Sequence, residues 1–243
     1  MPQHAVVSQE EWLVARRALL AKEKAETHLR DEVNAARLAL PWVRVEKRYE
    51  FDTAWGRKTL GDLFNGRSQL LAYHFMLGPG WKAGCPGCSF LADHFDGTLP
   101  HLEHHDVTLT AISHASLPEI EAYKTRMGWR FPWVSSFNSD FNFDFHVSFT
   151  KEDLAKGEVF YNFEKIPSKE ANDELPGLSV FVKDEAGAIF HTYSTYARGL
   201  EQAIGTLMLL DRAPKGRNEK STMDFVRRHD EYEDAGKGPS CCD

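Results

Sequence analysis

Cysteine is scarce, with four in 243 residues, too few for a disulfide scaffold in a chain of this length. No apolar run approaches the roughly 18 residues that a membrane helix needs. The opening MPQHAVVSQEEW has no basic stretch followed by an apolar one, so no secretory signal is expected. Positive charge is not in excess: 29 Lys and Arg stand against 36 Asp and Glu, a net −7, and no basic stripe reverses this. A nucleic-acid backbone is therefore not an expected partner. Internal repeats are absent too. These absences leave a cytoplasmic globular chain with neither nucleic acid nor membrane as partner. In that compartment thiols stay mostly reduced, and a C-x-x-C pair points to catalysis or metal binding before structure.

What is present is a patterned chain. Ser8 to Leu40 reads as one long helix, opened by a Ser8/Glu11 capping box and stopped by Pro41. Its apolar residues, Trp12, Leu13, Leu19, Leu20, Leu29, Val33 and Leu38, recur at loosely helical spacing, as in an accessory helix that packs on the domain or on a second copy of the chain. From Val43 the period changes to two. Short strands are expected around Gly56, then one helical turn in GDLFNG. SQLLAYHFML (Ser68 to Leu77) is a continuous apolar run of strand length, typical of a central strand buried on both faces. The loop GPGWKAG leads to Cys85. Ser89 to Leu102 reads as a helix, Asp106 to Ile112 as a second buried strand, and Pro118 to Met127 as a helix ended by Gly128. RFPWVSS is a short extended piece.

Residues 137–175 are aromatic and polar with weak periodicity, and read as a loop-rich insertion with some strand. PGLSVFVKDEAGAIFHTYS is a hairpin around KDEAG, and RGLEQAIGTLMLLDR an amphipathic closing helix. The organisation expected is an accessory helix over 1–40, one α/β domain over 41–213, and a polar, fraying tail over 214–243 that ends in Cys241, Cys242 and Asp243. Strands alternating with helices imply a layered sheet with parallel neighbours, and the hairpin makes that sheet mixed.

The candidate site is Cys85-Pro86-Gly87-Cys88. With Cys85 at the N-cap, Pro86 falls at the first helical position, where its missing N–H costs nothing, and Cys88 comes one turn later. Unpaired N–H groups there favour thiolate over thiol. A thiol with pKa about 8.5 is only a few per cent ionised at pH 7, and lowering it to about 7 makes half of it nucleophilic. A zinc or copper site is the alternative. It needs four ligands, and no second C-x-x-C exists. His94, His101, His104 and His105 lie nearby, with His101 and His105 four apart, and Cys241-Cys242 is a second source of soft donors. A third reading is a non-catalytic binding module.

Several stretches carry a family resemblance. YEFDTAWGRKTLGDLFNGRSQLLAYHF, the C-x-x-C, DVTLTAISHASLPEIEAYKTRMGWRFPWVSS and LPGLSVFVKDEAGAIFHTYS resemble, in this order, the thioredoxin superfamily in its peroxiredoxin-like elaboration. More closely, AGCPGCSF, SSFNSDFNFDF, HTYSTYARGLE and LLDRAPKGRNE resemble a bacterial thioredoxin-like family catalogued as a domain of unknown function. The resemblance covers roughly Leu40 to Glu219.

The resemblance implies a thioredoxin-like mixed sheet flanked by helices, and a thiol–disulfide oxidoreductase that uses no cofactor and no resident metal. Its substrate would be a disulfide-containing protein or a small thiol, and a homodimer is compatible with it. Cys85 matches the attacking nucleophile and Cys88 the resolving thiol. Pro176 matches the cis-proline that shapes the substrate groove, with Trp81 near it, and Lys82 or His74 are candidates to tune the thiolate. Three positions depart from the relatives. The residues between the cysteines are Pro-Gly and the neighbour before them is Gly84; Gly78 and Lys82 stand where peroxiredoxins carry Pro and Thr or Ser; Tyr73 and His74 replace the buried acid of thioredoxin.

Overall fold

The computed structural model describes residues 4–233. The chain divides into two units, residues 1–42 and 43–243. The first is a single helix, α1 (Gln9–Leu38). Its start is the expected capping box: Ser8 Oγ accepts from the Glu11 N–H and Glu11 Oε2 from the Ser8 N–H, at 3.2 and 2.9 Å. A lone helix has no second surface of its own with which to cover its apolar side chains.

The second unit opens with β1 (Val43–Arg44), β2 (Glu50–Thr53) and β3 (Gly56–Thr59), followed by a 3₁₀ turn at Asp62–Phe64. The central strand β4 (Gln69–His74) leads to α2 (Pro86–Ala92) and α3 (Leu99–His104), then β5 (Val107–Ser113), α4 (Leu117–Met127) and β6 (Trp133–Ser135). Two one-turn helices, α5 (Phe141–Asp144) and α6 (Lys151–Ala155), precede a small hairpin of β7 (Glu158–Tyr161) and β8 (Glu164–Pro167). The final hairpin is β9 (Gly177–Lys183) and β10 (Ile189–Tyr196), followed by a 3₁₀ segment at Ala197–Ala203 and α7 (Gly205–Leu210).

The main sheet has eight strands in the order β1-β10-β9-β4-β5-β6-β2-β3. β4, β5 and β6 run parallel, while β9 and β10 are antiparallel to β4 and to each other. A strand that feeds the C-x-x-C helix thus lies between its parallel partner and an antiparallel hairpin. With helices on both sides, this is the thioredoxin-like arrangement, and the α/β class expected of the chain is the one observed. Pleating decides which side chains share a face. Leu71, Tyr73 and Phe75 enter the core against α2, α4 and Trp133. Leu70 and Ala72 enter the opposite core with Phe51, Phe141 and Phe181.

The structure differs from the sequence reading in four places. The helix expected over Ser89 to Leu102 is two helices, α2 and α3. Gly97 lies in the break, and Pro100 disfavours helical geometry at the residue before it and brings no N–H of its own. The closing helix is interrupted at Ile204, which takes φ −99°, ψ 86° and buries its side chain, with the weak helix former Gly205 next. The insertion holds two helical turns besides its hairpin, whose tip places Asn162 and Phe163 at φ 51° and 69°, the twist that matches two-residue hairpin loops. The tail does not fray over its described part: Val226 is buried in the core beside α2. Cys241 and Cys242 lie outside the described residues.

Candidate functional site

Cys85 is the N-cap of α2, with φ −55° and ψ 134°, and Pro86 is the first helical residue. Its backbone N–H donates to Met76 O at 3.1 Å, so the approach loop closes back on the end of β4. Ser89 completes the turn: its N–H and its hydroxyl both donate to Cys85 O at 2.9 Å, and the hydroxyl also lies 2.8 Å from Tyr123 Oη. Cys88 is buried and Cys85 half-buried, and both thiols are free.

The two thiols are chemically unequal. Cys85 has its pKa lowered from 9.0 to about 6. The Cys88 thiol beside its sulfur is the largest cause; burial opposes it, and the backbone N–H groups of Cys88 and Gly87 and the charge of Arg228 lower the pKa further. Cys88 goes the other way. Burial pushes its thiol well up, and the adjacent Cys85 adds to this, while a hydrogen bond from Tyr73 pulls it back in part.

Gly84 is fixed by packing. A Cβ there would meet Phe75 Cε1 at 2.5 Å and Tyr123 Cε1 at 2.7 Å, both on buried rings. A larger residue therefore has no room immediately before the dithiol. Gly84→Ala is expected to cost about 1–3 kcal/mol by overpacking, a fall in Tm of between about 2 and 12 °C. Calorimetry of the two proteins checks it, and an unchanged Tm would mean that the rings give way.

Cys85 and Cys88 open on a groove of about 220 Å³ whose walls include Tyr73, Leu91, Pro176, Leu200, Ile204 and Met223. Wider clefts beside β1 and between β3 and α4, of about 350 and 630 Å³, contain no cysteine. Volume therefore does not choose the site; the thiols do.

The expected site residues fare differently. Pro176 lines the groove, but its peptide bond is trans, since no cis bond occurs among the described residues. The chain reaches it along an extended path: Leu175 N–H donates to Val147 O at 2.8 Å, and Glu174 bridges Ser148. Trp81 is not among the residues lining the groove. A turn bonded from its N–H to Gly78 O directs its indole toward Asp173 Oδ2, 3.4 Å away.

His74 points to the opposite side of the sheet from Tyr73. It stacks on Phe141 and Phe145, shares a 2.8 Å hydrogen bond with Ser179 Oγ, and burial lowers its pKa to about 3. Lys82 is exposed, and neither it nor His74 is among the main causes of the Cys85 shift. Of the two histidines considered as a metal pair, His101 lies in α3 and His105 is its C-cap, with its N–H on His101 O at 3.3 Å. Among the described residues no group of three His, Cys, Asp or Glu side chains is placed to hold a metal ion. No helix among them is long and apolar enough to cross a membrane.

Two features went unread in the sequence. Arg228, from the segment read as tail, donates from Nε and Nη2 to Gly84 O at 2.9 and 2.6 Å. The only local hint is the apolar trio Met223, Phe225 and Val226 within a polar stretch. The second is a buried carboxylate, Glu174, which accepts from Ser148 Oγ at 2.7 Å and lies 3.1 Å from His114 Nδ1. Burial raises its pKa. It ties the insertion to the end of β5 just before Pro176.

The model of a family of bacterial proteins of unknown function, DUF899, matches residues 1–232. The chain belongs to that family. No curated protein matches the chain. Among solved structures, this DUF899 protein is similar to a cysteine-to-serine mutant of PrxQ from Xylella fastidiosa. The identity is 16%, over 66% of this chain and 88% of that one, with a TM-score of 0.41. Peroxidoxin BcpB from Mycobacterium tuberculosis is 14% identical over 70% of this chain and 97% of that one, at a TM-score of 0.43. The mitochondrial 2-Cys peroxiredoxin of Plasmodium falciparum is 15% identical over 70% of this chain and 94% of that one, at 0.37.

Proposed function

We propose that this DUF899 protein is a thiol–disulfide oxidoreductase that works through Cys85 and Cys88. The observation that carries the reading is their inequality: a half-buried thiol with its pKa lowered to about 6, beside a buried thiol whose pKa is pushed up. One is ionised and accessible at neutral pH. The other is protonated and out of reach of solvent. That is the division of labour between attack and resolution.

The exchange proceeds in two displacements. The Cys85 thiolate attacks one sulfur of a disulfide, forms a mixed disulfide, and expels the first thiolate, which takes a proton from water. This removes the negative charge that had held the Cys88 pKa up. Cys88 then ionises, aided by the hydrogen bond from Tyr73. Its sulfur attacks Cys85 Sγ, and the second substrate thiolate leaves with the Cys88 proton. One substrate disulfide has become two thiols and the protein dithiol has become a disulfide, an exchange of two electrons that also runs in reverse.

The test is dithiothreitol-driven reduction of hydroxyethyl disulfide and of insulin, with protein far below the substrate concentration. Many turnovers per protein on at least one of the two substrates are expected. If the rate with protein equals the rate without it on both, the assignment is wrong.

A further inference from the structure

The segment after α7 does more than end the chain. It forms a wall of the dithiol groove and is pinned in place. Arg228 holds Gly84 O through two hydrogen bonds. Arg126 Nε donates to Asp230 Oδ2 at 2.7 Å, His229 Nδ1 lies 2.7 Å from Asp93 Oδ1, and Val226 is buried. Met223 is the side chain this segment brings to the thiols: its Cε would lie 3.4 Å from a Cβ at Gly87, between the two cysteines.

The backbone around the groove is occupied as well. An extended peptide docks on such a fold by exchanging backbone hydrogen bonds with a free edge. Here Gly84 O accepts from Arg228. Pro176 O accepts from the Tyr161 hydroxyl at 2.7 Å, and the Tyr161 hydroxyl oxygen in turn accepts from the Ala197 N–H at 3.1 Å. Pro176 itself has no N–H to offer. These two carbonyls beside the groove already have partners within the protein, and the thiols open on a small apolar recess of about 220 Å³.

Resting on the thiol–disulfide reading above, we infer that the substrate is a low-molecular-weight disulfide with an apolar body, and that Met223 sets this choice by closing the groove to disulfides carried on a folded protein. The reaction is the one already balanced: two small thiols leave, and Cys85–Cys88 is oxidised.

The experiment is single-turnover oxidation of the pre-reduced full chain, freed of dithiothreitol, by hydroxyethyl disulfide and by insulin. Each rate constant is divided by the rate of free dithiothreitol with the same disulfide, which removes intrinsic reactivity. The normalised preference for the small disulfide is expected to be on the order of 100-fold, the upper range that pocket shape supplies. In Met223→Ala the preference should shrink, through faster reaction with insulin, while Met223→Leu, of similar volume, should keep it. Equal normalised rates in the wild type, or a preference unchanged in Met223→Ala, would overturn the inference and leave the exchange chemistry standing. Reaction with neither disulfide would remove the underlying reading, a distinguishable result. Circular dichroism of both variants separates misfolding from altered choice.

Discussion

In the Cys85→Ser protein, disulfide reduction is expected to fall to the uncatalysed rate, a loss of at least about three orders of magnitude. A hydroxyl at this position keeps its proton at neutral pH, so the N–H groups of Gly87 and Cys88 and the charge of Arg228 have no anion to stabilise. Cys88→Ser should fail differently. Its first displacement needs only the Cys85 thiolate, so with no reductant present one equivalent of substrate thiol is released per protein and the reaction then stops. The protein is left carrying a mixed disulfide, visible as a mass adduct without reductant. The remaining serine sits in a buried site next to the Tyr73 hydroxyl, which can still bond it, so the fold is expected to survive. Release of a second equivalent from Cys88→Ser without reductant would show that another protein thiol resolves the intermediate, and peptide mapping would name it, with Cys241 and Cys242 the remaining cysteines. Retained activity in Cys85→Ser would remove Cys85 as the nucleophile.

How much of this was legible in the sequence follows from the range of each signal. The apolar runs of β4 and β5 and the turn around Asp184–Gly187 are local patterns, and they suffice for the order of strands and the mixed sheet. The placement of Cys85 at the N-cap with Pro86 behind it is equally local. Strand alternation alone separates Tyr73 from His74: residues on opposite pleats cannot both face the dithiol, and Tyr73 is the one that does. Long-range contacts leave no such trace. Arg228 lies 144 residues from Gly84, in a stretch whose polarity reads as tail, and its partner is a backbone carbonyl that any residue would have supplied. The pairing of Glu174 and Leu175 with Val147 and Ser148, which sets the path of the chain into Pro176, lies in the insertion, where periodicity is weak.

The pH profile tests the electrostatics directly. Only the thiolate reacts with iodoacetamide, so a thiol whose folded-state pKa is lowered to about 6 is alkylated at a rate that rises with pH through about 6 and levels off above it. At pH 7 such a thiol is about 90% ionised, against a few per cent for an ordinary cysteine. Cys88, pushed the other way by burial, should stay unlabelled throughout this range. Arg228→Gln removes a positive charge beside Cys85, so the midpoint moves up and the rate at pH 6 falls, by less than loss of the Cys88 contribution would cause. A merely structural role for Arg228, through Gly84 O, would change the plateau rate and leave the midpoint where it was. Arg228→Lys keeps the charge without the two-pronged hydrogen bond, and its midpoint should therefore lie nearer to the wild type. The same shift is a statement about stability. An acid with a depressed folded-state pKa stabilises the fold fully above its unfolded pKa, 9.0 here, and loses that contribution as pH falls through about 6. The oxidised chain has no Cys85 proton to exchange. The Tm of the reduced protein relative to the oxidised one should therefore climb between pH 6 and 9, and a difference that stays flat across this window would mean that Cys85 is not the low-pKa thiol.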